Sequence, residues 1–374
     1  MAHAPEKHEI EVAAGPSRGL LSSVRDFLAK NWFLLGLVCA IGLAAAYPPL
    51  GKKGGYLASQ YTVKYAGVAF VFLFSGMSLK TSVLIKATMV WRTHIVIQLL
   101  SLGFMPLLGW GIATGLKRGT GINPALLDGF VICMSAPTTV SSNTIMTRSA
   151  EGSEAISIVA SVIGNILGIF VTPFLILGYL GQAASVDYGN LFFNLSVTVI
   201  IPLIIGQVIR FFRPTWVEWL QKYVNFGQFG NCMILLLVWS TFCDTFAAHI
   251  SLAATDLLVV LALDLGTFII VCLLSIGWYY APHAVHVLKR AGFVIERPDA
   301  VAVMYVAATK TIALGIPIIN ILYDHDPNLG LYSIPLLIYH AGQLLLGAVV
   351  LPFVRRWNLA AAVKEDEKVD VGDV

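Results

Sequence analysis

Charge is scarce in this chain of 374 residues, since only 12% are Asp, Glu, Lys or Arg whereas 57% are hydrophobic. A soluble domain has roughly twice that charged fraction. The composition therefore excludes an ordinary soluble protein and indicates a membrane protein with several spans. The net charge of +3 comes without a basic patch interleaved with aromatic residues, so we expect no nucleic-acid partner.

The usual signatures of disulfide frameworks, metal centres and intramembrane proteases are missing as well. The five cysteines lie at scattered positions inside apolar runs: Cys39, Cys133, Cys232, Cys243 and Cys272. No HExxH motif and no pair of facing aspartates is found in the apolar runs. We therefore expect no enzyme, no resident metal and no cofactor, with Na+ or H+ to be considered only as a coupling ion. The first ~30 residues have no apolar segment of the kind found in a signal peptide.

Ten apolar stretches are long enough to cross a bilayer, which takes a helix of about 20 residues. They cover approximately 31–48, 62–79, 93–116, 125–147, 155–181, 190–212, 228–250, 256–281, 299–323 and 331–354. Lipid offers no partner to unpaired backbone groups, and no stretch alternates as a barrel strand does. The sequence therefore predicts an all-α polytopic membrane protein with ten transmembrane helices.

The basic residues predict the orientation of these spans. Of the 24 Lys and Arg residues, 18 fall in the two tails and in the loops after even-numbered spans, and five fall in the other loops. Because basic loops stay on the cytoplasmic side, both termini are expected in the cytoplasm. The plasma membrane is the first expectation for its location, and the Golgi or endoplasmic reticulum the alternative.

The two halves of the chain share an internal pattern. Span 5 ends in VTPF and span 10 in VLPF, while spans 4 and 9 are interrupted at SAPTTVSSN (135–143) and TKTIALGIP (309–317). Five spans per half would insert the second half upside down, and paired broken spans in inverted halves point to a transporter binding site. We therefore expect repeats at 31–181 and 190–354, with cytoplasmic tails at 1–30 and 355–374.

Lys310 is the sharpest functional signal, because a lysine at mid-bilayer costs roughly 2.5–3.5 kcal/mol on insertion scales. About ten residues on one side and thirteen on the other separate it from the ends of its span, which is too far for its ammonium to reach water. Asp244 and Asp264 are candidate counter-charges. We favour a functional role over a purely structural ion pair.

Other polar side chains lie deep in the spans. Those near the interruptions are Thr138, Ser142 and Asn143 after Pro137, and Thr309 and Thr311 beside Lys310. Ser157, Ser161 and Asn165 share one face of span 5, although small polar residues also line ordinary helix contacts. Possible accessory residues are Gln98 and Ser101 in span 3, and His340 and Gln343 in span 10, whose alternative role is hydrogen bonding between helices.

Several blocks, in order, resemble the bile acid:sodium symporter family, and most closely its sodium/bile acid cotransporter 7-like branch. They are FLFSGMSLKT (72–81), APTTVSSNTIMTRSAEGSEAISIVAS (136–161), VTPFLILGYLG (171–181), IIPLIIGQVIR (200–210), STFCDTF (240–246), ATKTIALGIP (308–317) and SIPLLIYHAGQLLLGAVVLP (333–352). The resemblance covers roughly residues 30 to 357.

The resemblance implies two inverted five-helix repeats whose broken helices 4 and 9 cross near mid-membrane. Spans 1, 2, 6 and 7 would form a panel, spans 3–5 and 8–10 a core, and relative movement of the two would give alternating access. It also implies a sodium site, for which Ser142, Asn143, Ser157 and Ser161 match the family residues. The family glutamate is replaced by Tyr305, and a glutamine and an asparagine by Thr309 and Lys310.

These substitutions suggest that the Lys310 ammonium takes the place of sodium, held by Ser142, Asn143 and Thr309. The chain would then be a secondary carrier of a small organic anion, driven by protons or by the anion gradient. The resemblance implies, in addition, a link to restraint of cytosolic calcium. The alternative, also implied by the resemblance, is a non-transporting regulator that acts on a calcium-entry channel or on secretory-pathway glycosylation.

Overall fold

The computed structural model describes residues 20–78, 91–181, 193, 196–247, 253–285, 289–290, 292–323 and 326–370, and within these it contains helices and no strand. The helices are α1 (Leu20–Ala46), α2 (Val68–Ser78), α3 (Trp91–Gly119), α4 (Pro124–Ser135), α5 (Ser141–Ser149), α6 (Glu154–Leu180), α7 (Ser196–Phe212), α8 (Pro214–Tyr223), α9 (Phe226–Ala247), α10 (Ala254–Ala284), α11 (Arg297–Ala308), α12 (Ile312–Leu322) and α13 (Leu329–Asp370). The helical class predicted from the sequence is confirmed.

Six spans in the described part are long and apolar enough to cross a membrane, and a seventh is formed if the bent pair α7 and α8 counts as one. Shorter apolar helices stand at three further predicted spans, at Leu35–Ala46, Tyr65–Ser78 and Pro124–Ser135. The chain is thus a polytopic membrane protein, and the count of ten spans stays a prediction. Two helices extend into the segments predicted as tails: α1 begins at Leu20, and α13 continues to Asp370.

Proline causes the break between α4 and α5. Pro137 disfavours the helical conformation of the residue before it, and Ala136 is accordingly extended, with φ −66° and ψ 149°. Helical structure resumes at Ser141. The segment between the two helices therefore crosses the interior without its own helical hydrogen bonds.

The break between α11 and α12 contains no proline. Thr309 and Thr311 are both extended, with ψ 153° and 133°, as suits β-branched residues. The Thr311 hydroxyl accepts a hydrogen bond from the Ala313 N–H at 3.2 Å and so caps α12. In the most apolar part of the span from Arg297 to Leu322, 94% of the residues are buried. Helices α11 and α12 therefore lie at the centre of the bundle.

The helices pack in two groups. In the first, α1 lies against α9, and α2 lies against α7 and α9; in the second, α3 to α6 pack with α10 to α13. The first group meets the second mainly where α9 contacts α12 and α13. At this contact Asn320 donates to the Thr241 hydroxyl at 3.1 Å, and Thr245 lies directly against Gly330.

Two glycines allow α2 and α7 to touch through their backbones. A Cβ added to Gly76 would meet the Leu203 carbonyl oxygen and lie 3.1 Å from the Gly206 Cα. Small residues at such crossings let membrane helices approach closely.

We expect Gly76→Ala to lower the thermal unfolding midpoint in detergent, because the new methyl group must push two backbones apart. Overpacking of this kind costs about 1–3 kcal/mol. Gly67→Ala is the matched control, since its Cβ would have only one neighbour within 4 Å, at 3.9 Å. Equal midpoints for the two variants would show that the α2–α7 contact is looser than described.

The amphipathic helix α8 turns away from α7 by 109°. Trp216, Trp219 and Tyr223 form an exposed stripe along it, and the buried Arg210 of α7 donates to Glu218 at 3.2 Å. Exposed Trp and Tyr on such a helix suit the membrane–water interface.

Polar contacts join α5, α6, α11 and α13 at one end of the bundle. Arg148 of α5 pairs with Glu154 of α6, and Arg355 of α13 pairs with Glu151 at 3.0 Å. The Ser153 N–H donates to the Pro298 carbonyl at 2.8 Å, which ties the start of α6 to α11. These contacts join the segments after predicted spans 4, 8 and 10, which the positive-inside rule assigns to the same side of the membrane.

Candidate functional site

The two helix breaks lie against each other. The Thr311 N–H donates to the Pro137 carbonyl oxygen at 2.8 Å. The Thr138 hydroxyl donates to the Val306 carbonyl at 2.7 Å and lies 3.0 Å from the Thr309 hydroxyl. The sequence predicted both breaks, and their contact agrees with the crossing that the family resemblance implies.

Asn143 is the centre of a buried polar network at this crossing. Its amide nitrogen donates to the Thr138 hydroxyl at 2.7 Å, to the Thr139 carbonyl and to the Ser161 hydroxyl at 3.2 Å. Its oxygen accepts from the Thr309 hydroxyl at 2.5 Å. One side chain thus joins α5, α6 and both breaks.

Three carbonyl groups at the first break accept hydrogen bonds from side chains of other elements. Thr172 of α6 donates to the Ser135 carbonyl at 2.8 Å, and Asn165 donates to the Thr138 carbonyl at 2.9 Å. The Ala136 carbonyl accepts from the Lys310 ammonium at 2.9 Å. Because an unpaired carbonyl is costly in a membrane, these side chains make the break stable.

The ammonium of Lys310 is completely buried and is surrounded by oxygen atoms. Nζ donates to the Ser101 carbonyl at 2.7 Å and lies 3.4 Å from the Ser101 hydroxyl, in addition to its bond to Ala136. Ser101 lies in a π-helical segment of α3, Leu99–Phe104, a local widening that frequently marks functional sites. Ala136 follows the last residue of α4, where the helix dipole is negative, so the ammonium lies where positive charge is favoured.

The sequence-based hypothesis about the partners of Lys310 was wrong. Asn143 and Thr309 bond to each other instead of to the ammonium, because the extended backbone of the second break directs Lys310 toward α3 and α4. The hydroxyl of Ser142 is half-buried and has no partner among the described residues.

Neither predicted counter-charge forms a salt bridge with Lys310. Asp244 lies near the end of α9 and accepts from the Lys53 N–H at 2.6 Å. Asp264 is buried, with 1% of its surface exposed, and neither of its oxygens has a hydrogen-bond partner in the described part of the chain. Carbonyl oxygens and a helix end, instead of a carboxylate, accommodate the ammonium.

Gln343 holds the backbone of the second break in place. Its side-chain oxygen accepts from the Lys310 N–H at 2.7 Å, and its nitrogen donates to the Lys310 carbonyl at 2.9 Å. Gln343 thus takes the place of the helical partners that Lys310 lacks. His340 lies one turn away, 3.0 Å from the Gln343 nitrogen, and the Phe33 ring of α1 packs edge-on against it at 6.0 Å between centroids.

Other predicted residues stand apart from this network. Gln98 donates to the Ala160 carbonyl at 2.9 Å, while its own oxygen is buried without a partner among the described residues. The hydroxyls of Ser157 and Tyr305 are likewise buried and unpaired there. Of the face predicted on span 5, Ser161 and Asn165 join the crossing, whereas Ser157 does not bond to it.

Sequence reasoning missed two residues that stabilise the breaks. Tyr339 donates to the Ala308 carbonyl at 2.5 Å, and Thr172 binds the Ser135 carbonyl. Thr172 lies in the VTPF motif and Tyr339 directly precedes His340. A polar residue inside each of these apolar runs was the available signal.

The chain is similar to known membrane transport proteins over nearly its full length. A profile of the SBF-like CPA transporter family matches residues 31–356. A Mus musculus protein named sodium/bile acid cotransporter 7 is 38% identical over 332 residues, which cover 88% of this chain and 94% of that protein. Sodium/bile acid cotransporter 7-B of Xenopus laevis is 36% identical over 343 residues, or 91% and 95% of the two chains.

A fungal protein shows the same similarity at lower identity. The Candida albicans protein named solute carrier RCH1 is 30% identical over 389 aligned positions, covering 94% of this chain and 95% of that protein. The similarity includes both helix breaks and the spans around them.

Proposed function

Since the chain belongs to the SBF-like CPA transporter family, and is a transporter instead of an enzyme, we propose that it carries a small organic anion across the membrane by alternating access. The ten spans would form two inverted repeats around the crossing of the broken helices. In this arrangement the substrate binds between the two helix groups, beside the crossing.

The buried ammonium of Lys310 is the observation that carries this proposal. A positive charge at the crossing attracts an anion without contacting it, because the surrounding protein screens charge far less than water does. Carbonyl oxygens hold the charge in place without neutralising it, so its field reaches the substrate region.

The site does not fit the sodium ion that the names of the relatives mention. The Asn143 oxygen is already bonded to Thr309, and the described network around it contains hydroxyl and amide groups but no carboxylate. An ammonium lies at the same crossing and would repel a second cation. We therefore propose transport without sodium, driven by protons or by the anion gradient.

Two half-helices direct their N-termini toward the crossing. Helix α5 has no side-chain cap, and its first turn holds the half-buried hydroxyl of Ser142, which has no hydrogen-bond partner among the residues that the structure describes. Helix N-termini bind anions through free N–H groups and a positive dipole end. We assign the anion to this end of α5, with Ser142 as a hydrogen-bond donor.

Alternating access would come from movement between the two helix groups. Within the part of the chain that the structure describes, few polar contacts bind α9 to the second group, and the hydrogen bond between Thr241 and Asn320 is one of them. Breaking them would open the crossing on that side, while the contacts between Arg355 and Glu151 hold the second group together. The basic ends of the spans would face the cytoplasm, and the plasma membrane is the location we propose.

A thermal-shift screen of the purified protein tests the carrier role and the absence of sodium coupling together. The test compounds are taurocholate, a sulfated steroid, and small mono- and dicarboxylates, each in sodium and in choline buffer. We expect at least one anion to raise the unfolding midpoint equally in both buffers. Stabilisation that requires sodium would overturn the ammonium replacement, and no stabilisation by any anion would count against the carrier.

A further inference from the structure

Asp264 lies on the inward face of α10, away from lipid. The buried residues Val260, Phe268 and Val271 share that face, whereas Leu261 and Leu273 are exposed on the other side of the helix. Burying an aspartate at such a position costs free energy, and carboxylates inside a membrane typically mark functional sites.

Among the described residues, the carboxyl group has no hydrogen-bond donor that would hold it as an anion. Both oxygens are inaccessible and receive no hydrogen bond within the described chain, although the Asp264 backbone carbonyl accepts from Thr267 at 3.1 Å. Burying an unpaired carboxylate costs so much that the group takes up a proton instead. Asp264 is therefore unlike Asp244, which has a hydrogen-bond donor and is half-exposed.

The elements packed against α10 bring several ionisable groups toward this carboxyl. Cys133 of α4 and Tyr339 of α13 are close enough to interact electrostatically with Asp264, and Cys133 also interacts with Lys310. Tyr305 of α11 interacts electrostatically with Cys272, which lies about two turns after Asp264 on α10, and His340 lies one residue beyond Tyr339. None of these groups donates a hydrogen bond to Asp264.

We propose that Asp264 is the proton-binding site through which pH controls the crossing of the broken helices. The inference extends the proposed carrier by naming its coupling ion. A proton taken from water forms an O–H bond on one carboxyl oxygen and makes the group neutral, which suits its apolar surroundings.

Loss of that proton would disturb the second break through Tyr339. An ionised carboxylate requires a donor, and the Tyr339 hydroxyl now donates to the Ala308 carbonyl at the end of α11. Recruiting this hydroxyl to Asp264 would release the end of α11. The protonation state would thereby change the stability of the crossing that surrounds Lys310.

Labelling of the wild-type protein with dicyclohexylcarbodiimide tests the site without any substrate. This apolar reagent adds a protonated carboxyl group across its N=C bond, and mass spectrometry locates the product. We expect Asp264 to be labelled in acidic buffer and far less in alkaline buffer, with Asp244 unlabelled as an internal control. Absence of label at Asp264 at every pH would overturn the proposal.

Asp264→Asn then tests whether the proton controls the crossing. Hydrogen-exchange mass spectrometry of peptides from α11, α12 and α13, corrected for intrinsic exchange, should show a pH-dependent loosening in the wild type and none in Asp264→Asn. The same pH dependence in both proteins would overturn the proposal. Labelling that succeeds while no anion is ever bound would reject the carrier and leave the proton site standing.

Discussion

Replacing Lys310 with methionine should abolish stabilisation by organic anions and lower their uptake by roughly 30- to 150-fold. Methionine keeps most of the volume of the side chain but removes its charge. A unit charge about 6–8 Å from an anion contributes about 2–3 kcal/mol at an effective dielectric constant of about 20, which is equivalent to that fold-change. The thermal-shift screen and uptake into proteoliposomes measure the effect. The Ser101 and Ala136 carbonyls also lose their donor, so the unfolding midpoint should fall as well.

Lys117→Met is the matched control for this experiment. Lys117 pairs with Asp128 at the surface, where removing an ion pair typically costs less than ~1 kcal/mol. We expect this variant to retain anion stabilisation. If folded Lys310→Met protein transports normally, the carrier mechanism is rejected. If Lys310→Met instead keeps the wild-type effect on cytosolic calcium, and neither it nor any other variant transports an anion, the protein is better described as a non-transporting regulator.

Replacing Gln343 with leucine should strongly lower the stability of the protein. Leucine fills a similar space but leaves the Lys310 N–H and carbonyl without partners at the centre of the bundle. Each of these two unsatisfied buried groups costs about 1–3 kcal/mol, so the free energy of unfolding should fall by about 2–6 kcal/mol. Thermal unfolding of the purified protein measures this change.

Gln221→Leu is the control, because Gln221 is exposed on α8. It should leave the unfolding midpoint within error of the wild type. Gln343→Glu adds a discriminating case, since its buried carboxyl group is expected to be protonated, so that it keeps an oxygen for the Lys310 N–H and has one O–H that can donate to the carbonyl. Its stability should lie between the wild type and Gln343→Leu, and wild-type stability for all three would show that the amide does not hold the break.

The sequence predicted the helices and both interruptions but not how the interruptions are satisfied. Pro137 predicts the first break, because proline disfavours the helical conformation of the residue before it. Lys310 predicts the second break, because burying a lysine in the bilayer costs free energy. The pairing of Gln343 with the backbone of Lys310 joins residues 33 positions apart on different helices. Helical spacing describes neighbours within one helix, so it contains no information about such a pair.

Sequence alone determined that this protein is helical, membrane-embedded and interrupted in two of its spans, because hydrophobic length, a proline and an intramembrane lysine can each be recognised locally along the chain. Only the tertiary structure decided which atoms the Lys310 ammonium contacts. The ammonium bonds to carbonyls of α3 and the first break instead of to Asp264, since the packing of several helices fixes which oxygens lie within its reach. The same packing left Asp264 buried and without a donor, a state that no local pattern predicts.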